Sequence, residues 1–198
     1  MDISRIRMTN EQYMAMTDDG KRYELHDGVL VEKRYEVIDG VEMASPTVMH
    51  NWIVSMLLHF LMLHVFSQKL GYVFGDDLDY ILNEGVMLKP DVSFVAAGRL
   101  TTFPTYLREA PDLAVEVLSP SNTASEMNYK INTYLQYGSR LVWIIDPEKR
   151  IVVVYRKGEG SSIVSIYLTA DETLTGGDVL TDFRLPLNEL FGSIPSEA

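Results

Sequence analysis

Two acidic residues stand inside apolar runs of the sequence, where a charged side chain is costly. Glu116 interrupts the run LAVEVL, and Asp91 follows Pro90 between the apolar stretches VML and VSFV. A buried carboxylate must be neutral, paired with a cation, or bound to a metal ion. The spacing of 25 residues between positions 91 and 116 is enough for two adjacent strands to bring both carboxylates together.

A lysine follows these acids on a predicted helix. The helix is predicted for residues 123–137, directly after the strand that carries Glu116. At 100° per residue, Lys130 lies about 40° from Tyr134, on the border of the apolar stripe. Its ammonium group could therefore reach the end of the preceding strand. The alternative is a surface lysine whose stem packs on the helix and whose charge stays in water.

Two carboxylates with a lysine suit a hard divalent cation, Mg²⁺ or Mn²⁺, which takes few protein oxygens and keeps water ligands. Such an ion would polarise a phosphodiester oxygen and lower the pKa of an attacking water. The lysine could orient that water or offset charge in the transition state. A core ion pair without metal is the competing interpretation of Glu116. The sequence contains neither a glycine-rich phosphate loop nor a Gly-x-Ser-x-Gly motif.

The elements that position these residues alternate as strands, helix, strands, helix, strands. This order predicts an α+β (mixed α/β) fold with a mixed central sheet flanked by helices. The similar segments 23–32 and 35–44 each alternate around Asp-Gly, which predicts an N-terminal antiparallel β-meander. The strands before and after helix 123–137 are expected to be parallel neighbours. Strands are predicted at 72–82, 86–96, 112–118, 141–147, 151–158 and 162–168.

A second helix is predicted at residues 51–68 and is ended by Gly71. Its apolar segment 52–66 is too short to span a bilayer, so we expect a core helix and no membrane association. His50 opens this helix and is a candidate for lining the site. The chain has no cysteine, which excludes disulfides and thiolate metal sites and suits a cytoplasmic protein.

The net charge of −11, from 17 basic and 28 acidic residues, argues against binding nucleic acid by bulk attraction. Six basic and two acidic residues fall within 128–157, a local excess of four positive charges. Scattered, solvated charges are the alternative to a basic patch there.

Several segments together resemble a known family. KPDVSFV, APDLAVEVLSPSN, YKINTYLQYGSRLVWIIDP and IVVVYR resemble the Uma-type "putative restriction endonuclease" family, a branch of the PD-(D/E)XK nuclease superfamily. YEVIDGVEMASPTVMH is similar to the N-terminal motif of that family. The resemblance runs from about residue 22 to residue 156. It implies a single restriction-endonuclease-like domain over 1–198, with an extension at about 1–21, a core at about 22–170 and a tail at about 171–198.

The resemblance also implies roles for individual residues. Asp91 would be the acid of the PD motif and a metal ligand, and Glu116 the second acid and ligand, with the Val117 carbonyl completing the shell. Leu118 stands where E-x-K nucleases keep a lysine, and Lys130 on the following helix would replace it.

Further positions in the predicted site remain open. The resemblance also implies a further glutamate from a helix or hairpin, with Glu36 as the candidate and Glu24 and Glu42 as rivals. Asp112 shares a strand face with Glu116 and could replace Asp91. Tyr134 lines the site or packs in the core.

The implied function is a Mg²⁺- or Mn²⁺-dependent endonuclease that hydrolyses DNA phosphodiester bonds, acting as a homodimer so that two sites meet two strands. Fold alone does not establish activity. The alternative is a catalytically inactive nuclease-fold module that binds protein or nucleic acid.

Overall fold

The structure is a computed structural model that describes residues 7–33, 36–38, 41–43, 47–76, 78–192 and 194, without the side chains of 36–38 and 41–43. The helices are α1 (Asn10–Met14), α2 (Val48–Gln68), α3 (Ala124–Gln136) and α4 (Leu187–Phe191). The strands are β1 (Tyr23–His26), β2 (Val29–Glu32), β3 (Glu36–Ile38), β4 (Val41–Met43), β5 (Gly71–Phe74), β6 (Tyr80–Asn83), β7 (Val86–Leu88), β8 (Val92–Ala96), β9 (Leu113–Val117), β10 (Leu141–Asp146), β11 (Ile151–Lys157), β12 (Ile163–Thr169), β13 (Thr173–Gly176) and β14 (Leu180–Pro186).

The central sheet has six strands in the order β12-β11-β10-β9-β8-β5. β9 and β10 are parallel and are joined through α3, whereas the other neighbouring pairs are antiparallel. This mixed sheet confirms the predicted α+β fold class and the parallel pair on either side of α3. β9 lies inside the sheet, so both of its edges are bonded.

The N-terminal segments form hairpins. β1 pairs with β2 around Asp27-Gly28, and β3 pairs with β4. In the described residues the two hairpins belong to different sheets, because β1 pairs on its other side with β7 to give the order β2-β1-β7-β6. The meander is thus interrupted between β2 and β3, and the first hairpin joins a second, smaller sheet.

The two faces of β9 pack against different helices. Leu113, Val115 and Val117 lie in the main core with the buried side of α2. Ala114 packs with α3 in a separate cluster, and Glu116 lies on that same face because strand side chains alternate. The sheet is therefore covered on both sides at β9, and Glu116 points toward α3.

Helix α2 is longer than the sequence indicates. The Thr47 hydroxyl accepts a hydrogen bond from the His50 amide, so the helix begins at Val48, and it ends at Lys69 in a left-handed conformation and not at Gly71. With 21 residues it is long and apolar enough to cross a membrane by length and composition. However, its inner side packs into the main core, as expected for a core helix. The buried side chains include Ile53, Val54, Leu57, Leu61 and Val65.

The C-terminal segment completes the main core. β13 and β14 form a hairpin, and α4 packs on α2. Their apolar side chains belong to the same cluster as the inner face of α2. These residues are Leu174, Leu180, Phe183, Leu185, Leu187, Leu190 and Phe191.

Replacing Gly71 with alanine should destabilise the protein. A Cβ at this position would lie 2.1 Å from the Val95 carbonyl oxygen, so the backbone of β5 or β8 must move. We expect Gly71→Ala to lower the free energy of unfolding by about 1–3 kcal/mol in urea denaturation followed by circular dichroism. Gly98→Ala, where a Cβ meets nothing within 4 Å, is the matched control and should not be destabilised. Equal stability of the two variants would contradict this packing.

Candidate active site

Asp91 and Glu116 lie side by side at one end of the central sheet. Val92 of β8 pairs with Val115 of β9, so Asp91, one residue earlier, stands beside Glu116. The Asp91 amide donates to the Val115 carbonyl at 3.0 Å. Asp91 is 2% exposed and Glu116 is 3% exposed. The structure thus brings together the two acids that the sequence singles out.

Helix α3 supplies both partners of Glu116. The Lys130 ammonium lies 3.0 Å from Glu116 Oε2, and the Tyr134 hydroxyl donates to Oε1 at 2.8 Å. Lys130 and Tyr134 are one helical turn apart, which places both side chains over β9. Lys130 is only 1% exposed, so it is not a surface lysine. The capping of α3, in which the Thr123 hydroxyl accepts from the Glu126 amide, fixes where this turn falls.

Asp91 is held by three elements. The Lys33 ammonium lies 2.8 Å from Oδ1, the Val117 amide donates to Oδ2 at 2.7 Å, and His50 Nε2 is 3.3 Å from Oδ2. Lys33 directly follows β2, and His50 stands in the first turn of α2. The predicted placement of His50 beside the two acids agrees with this geometry.

Glu24 of β1 is the third buried carboxylate of the group. Its Oε1 accepts from the Lys130 ammonium at 2.8 Å and from the Lys89 amide at 2.9 Å. His26 Nε2 lies 3.0 Å from Oε2. Lys130 therefore bridges Glu24 and Glu116, and the small sheet is tied to the central one at this point.

The cluster carries more negative than positive charge when it is fully ionised. Its carboxylates are Asp91, Glu116, Glu24 and Asp76. Its basic groups are Lys33, Lys130 and Arg22, of which Lys33 Nζ lies 3.0 Å and Arg22 Nη1 2.6 Å from Asp76. Four carboxylates against three lysine and arginine side chains leave one excess negative charge, which a bound cation would offset.

The pKa values reflect this imbalance. Burial raises the pKa of Glu116 from 4.5 to about 8, with Lys130 opposing the rise and the charge of Asp91 adding to it. Burial also disfavours ionised Glu24, but Lys130, the His26 hydrogen bond and Lys33 outweigh it and lower the pKa of Glu24 to about 2. The pKa of Asp91 is likewise held well below its ordinary value, because Lys33 and His50 outweigh burial. Glu116 is therefore the carboxyl on which the excess charge of the cluster falls.

A small cavity of about 10 Å³, room for one water-sized group, opens beside Asp91 and Glu116. Hydrogen bonds occupy one site on each Glu116 oxygen and three sites on Asp91, so each carboxylate keeps lone pairs for a cation. In the described part of the chain, no three His, Asp or Glu side chains form a metal-binding group. Two carboxylates with water ligands are a donor set that suits Mg²⁺, so these residues fit the expected ion.

Other sequence-predicted residues lie elsewhere or outside the description. Asp112 is four residues from Glu116, at the far end of β9, where its Oδ2 bonds Arg99 Nη1 and the Ala96 amide, each at 2.9 Å. The structure therefore does not bring Asp112 to the cluster as a replacement for Asp91 or as a lining residue. The side chains of Glu36 and Glu42 lie outside the described residues.

Lys33, Asp76 and Arg22, which lies 2.6 Å from Asp76, are the members that sequence reasoning missed. Lys33 bonds Asp91, Asp76 and the Lys89 carbonyl, and its side chain is 8% exposed. Its only signal was its position directly after the alternating run of residues 23–32, with no apolar neighbours to mark it as buried. The sequence places two acids in apolar runs, so a second basic residue besides Lys130 could have been expected. The sequence does not identify which residue it is.

Comparison with known proteins identifies the family and the fold of the chain. The chain matches a family described as "Putative restriction endonuclease" (Uma2) over residues 10–188, which include every described member of the cluster. The crystal structure of a putative nuclease belonging to DUF820 from Anabaena variabilis ATCC 29413 has the same fold, with a TM-score of 0.72 and 20% identity over 93% of this chain and 98% of that chain. At this identity the likeness shows the fold alone. No curated protein matches the chain.

The raised pKa of Glu116 predicts how stability depends on pH in the metal-free protein. Between pH 4.5 and about 8 the folded state keeps a proton on Glu116 that the unfolded chain releases. The free energy of unfolding should therefore fall as pH rises through this window, by up to about 1.4 kcal/mol per pH unit. Glu116→Gln carries no such proton, so its stability should fall less steeply in urea denaturation with a chelator present. The exposed control Glu189→Gln should follow the wild type. Parallel curves for wild type and Glu116→Gln would contradict the raised pKa.

Proposed function

The chain belongs to the Uma2 family of putative restriction endonucleases, and from this membership we propose that it is a divalent-metal-dependent endonuclease that hydrolyses DNA phosphodiester bonds. The observation that carries the proposal is the pair of buried carboxylates, Asp91 and Glu116, on adjacent strands of a cluster whose carboxylates outnumber its lysine and arginine side chains by one. A purely structural ion-pair network would be expected to balance its charges, because unpaired buried charge is destabilising.

Asp91 and Glu116 are the residues proposed to hold Mg²⁺ or Mn²⁺, together with the Val117 carbonyl. The ion would supply charge stabilisation at a phosphoryl oxygen and a more acidic water. The protein contributes orientation: Val117 and Lys33 fix Asp91, and Lys130 and Tyr134 fix Glu116, so neither carboxylate can turn away. Such fixed geometry is what a preorganised site requires.

Lys130 is proposed as the basic catalytic group of this site. It lines the cavity beside both acids, and Glu116 and Glu24 keep it charged by holding its pKa above the ordinary value against the effect of burial. A permanently protonated ammonium at this place can donate to the attacking water or to a phosphoryl oxygen and cannot act as a base near neutral pH. Glu24 is proposed to position Lys130, and Glu36 stays the candidate for a further acidic group.

A second function is favoured by a separate observation. Asp91 and Glu116 are each already paired with a lysine, and the cavity between them holds about one water. The same arrangement suits an inactive nuclease-fold module, in which the lysines neutralise the former site and the fold binds DNA or protein. The two functions differ in whether a cation binds between the acids.

We predict metal-dependent nicking of supercoiled plasmid DNA by the wild-type protein in Mg²⁺ or Mn²⁺. Asp91→Asn and Glu116→Gln each remove a proposed ligand, so the nicking rate should fall by at least about 100-fold. Glu189→Gln removes an exposed carboxylate on α4 and should leave the rate unchanged. The rates are measured from the loss of supercoiled plasmid on agarose gels.

A thermal shift with Mn²⁺ separates the two functions. The active-enzyme proposal requires that Mn²⁺ raise the melting temperature of the wild type and that the double variant Asp91→Asn, Glu116→Gln lose this effect. If the shift survives in the double variant, the cation binds elsewhere and the proposed site is wrong. Wild-type protein without nicking and without a shift would favour the inactive module.

We further propose that the protein is a homodimer that associates through the outer face of α2. The helix contains no charged residue, yet Leu63 is 64% exposed, Phe66 is 70% exposed and Trp52 is 43% exposed. An uncharged, apolar face is unusual on a chain of net charge −11 and marks an interaction site. Two copies would meet there without bringing their acidic surfaces into contact.

Sedimentation velocity tests the dimer. The wild type should sediment at twice the chain mass of 22.5 kDa. Phe66→Glu buries a charge in the proposed interface and should give the monomer at the same concentration. Phe103→Glu, at a position 72% exposed and away from α2, should stay dimeric. A monomeric wild type, or a dimer that tolerates Phe66→Glu, would contradict the interface.

A further inference from the structure

The cavity beside the two acids has a mouth made of different residues from its walls. Eight residues line it, and six of them have side chains that are at most 8% exposed. The other two, Ser119 and Asn122, are partly exposed. Among the described lining residues, these two side chains therefore form the part that faces solvent. The six are Lys33, His50, Asp91, Glu116, Val117 and Lys130.

The loop between β9 and α3 holds Asn122 in a defined orientation. The Asn122 side-chain oxygen accepts hydrogen bonds from the Ser119 amide at 2.8 Å and from the Ser119 hydroxyl at 3.1 Å. The Asn122 amide donates back to the Ser119 carbonyl at 3.0 Å. With Oδ1 engaged, the rotation of the side-chain amide is fixed. In the part of the chain that the structure describes, no acceptor bonds Nδ2, so both of its protons remain for a ligand.

We propose that Asn122 binds a non-bridging oxygen of the scissile phosphate through Nδ2 and thereby positions the phosphodiester at the mouth of the cavity. This inference rests on the proposed function, since it assigns the substrate contact of the same site. Asn122 would contact the substrate without binding the metal ion or transferring a proton.

The charge of the cluster explains why a neutral donor stands there. A phosphodiester is an anion, and it approaches a group whose four carboxylates outnumber its three basic residues, Lys33, Lys130 and Arg22, each of which already bonds a carboxylate. A further carboxylate or an acceptor at the mouth would repel the phosphate. An amide N–H donates a charge-assisted hydrogen bond without adding another buried charge. The cavity itself admits about one water, so the phosphate must remain at the mouth, where Asn122 lies.

Asn122→Asp removes the Nδ2 donor but keeps the oxygen that holds the loop, so it tests the two roles of Asn122 separately. Aspartate keeps the oxygen that accepts from Ser119, so the loop should hold and the melting temperature should be unchanged. It removes both N–H donors and adds a negative charge, so plasmid nicking in Mg²⁺ should fall by at least about 100-fold. Asn128→Asp makes the same chemical change at an exposed position of α3 outside the cavity, and its nicking rate should match the wild type.

Binding of a short fluorescein-labelled DNA duplex, measured by anisotropy in Ca²⁺, provides a readout that does not depend on cleavage. The inference expects Asn122→Asp to bind at least about tenfold more weakly than Asn128→Asp. Equal binding by these two variants would overturn it, and so would equal nicking where the wild type nicks the plasmid. If the wild type binds DNA without nicking, the endonuclease proposal fails, and the binding comparison alone decides whether Asn122 holds the phosphate. A wild type that does not bind the duplex overturns the inference as well.

Discussion

Burial of Glu116 on a strand covered on both faces is the constraint on which the site depends. β9 is bonded to β8 and β10, and α2 and α3 cover its two sides. Water cannot solvate a carboxylate there, so the compensating groups must come from other elements. Lys130 comes from α3, and Glu24 comes from the small sheet to share it. The need to compensate the carboxylate of Glu116 thus helps to hold α3 and the small sheet against the central sheet.

Much of this arrangement follows from local sequence patterns. Alternation in LAVEVL places Glu116 on the other face of the strand from Val115 and Val117. Helical periodicity places Lys130 and Tyr134 on one side of α3. Because a strand–helix–strand unit returns in parallel, α3 must lie over the strand that precedes it. These three rules place Lys130 beside the strand that carries Glu116, but they leave open whether its ammonium group contacts Glu116 or stays in water. The same rules show that Asp112 shares a face with Glu116, but they do not show which end of the strand carries the site.

The missed residues depend on contacts between distant parts of the chain. Lys33 bonds Asp91 across 58 residues and Asp76 across 43. Glu24, a rival candidate from the sequence, accepts a hydrogen bond from the Lys89 amide across 65 residues. No periodicity encodes such pairs, since each side chain stands at a strand end where burial depends on how two sheets pack. The C-terminal hairpin and α4 were missed for another reason. The alternation in residues 173–186 is broken by Gly176 and Gly177, although Leu174 and Leu185 are fully buried.

The chain's charge determines how an acidic protein of this family would engage DNA. Three of the six basic residues counted in residues 128–157 are engaged within the protein, because Lys130 is buried in the cluster, Lys149 bonds Asp146 at 2.7 Å and Arg140 pairs with Asp178. The net charge of −11 opposes general attraction to the phosphate backbone. For the proposed endonuclease, recognition would then depend on a few directed contacts near the scissile bond, where a hydrogen-bond donor and a metal ion act at short range. For the proposed endonuclease, neutral side chains at the mouth of the cavity would therefore contribute more to DNA binding than distant lysines on the surface.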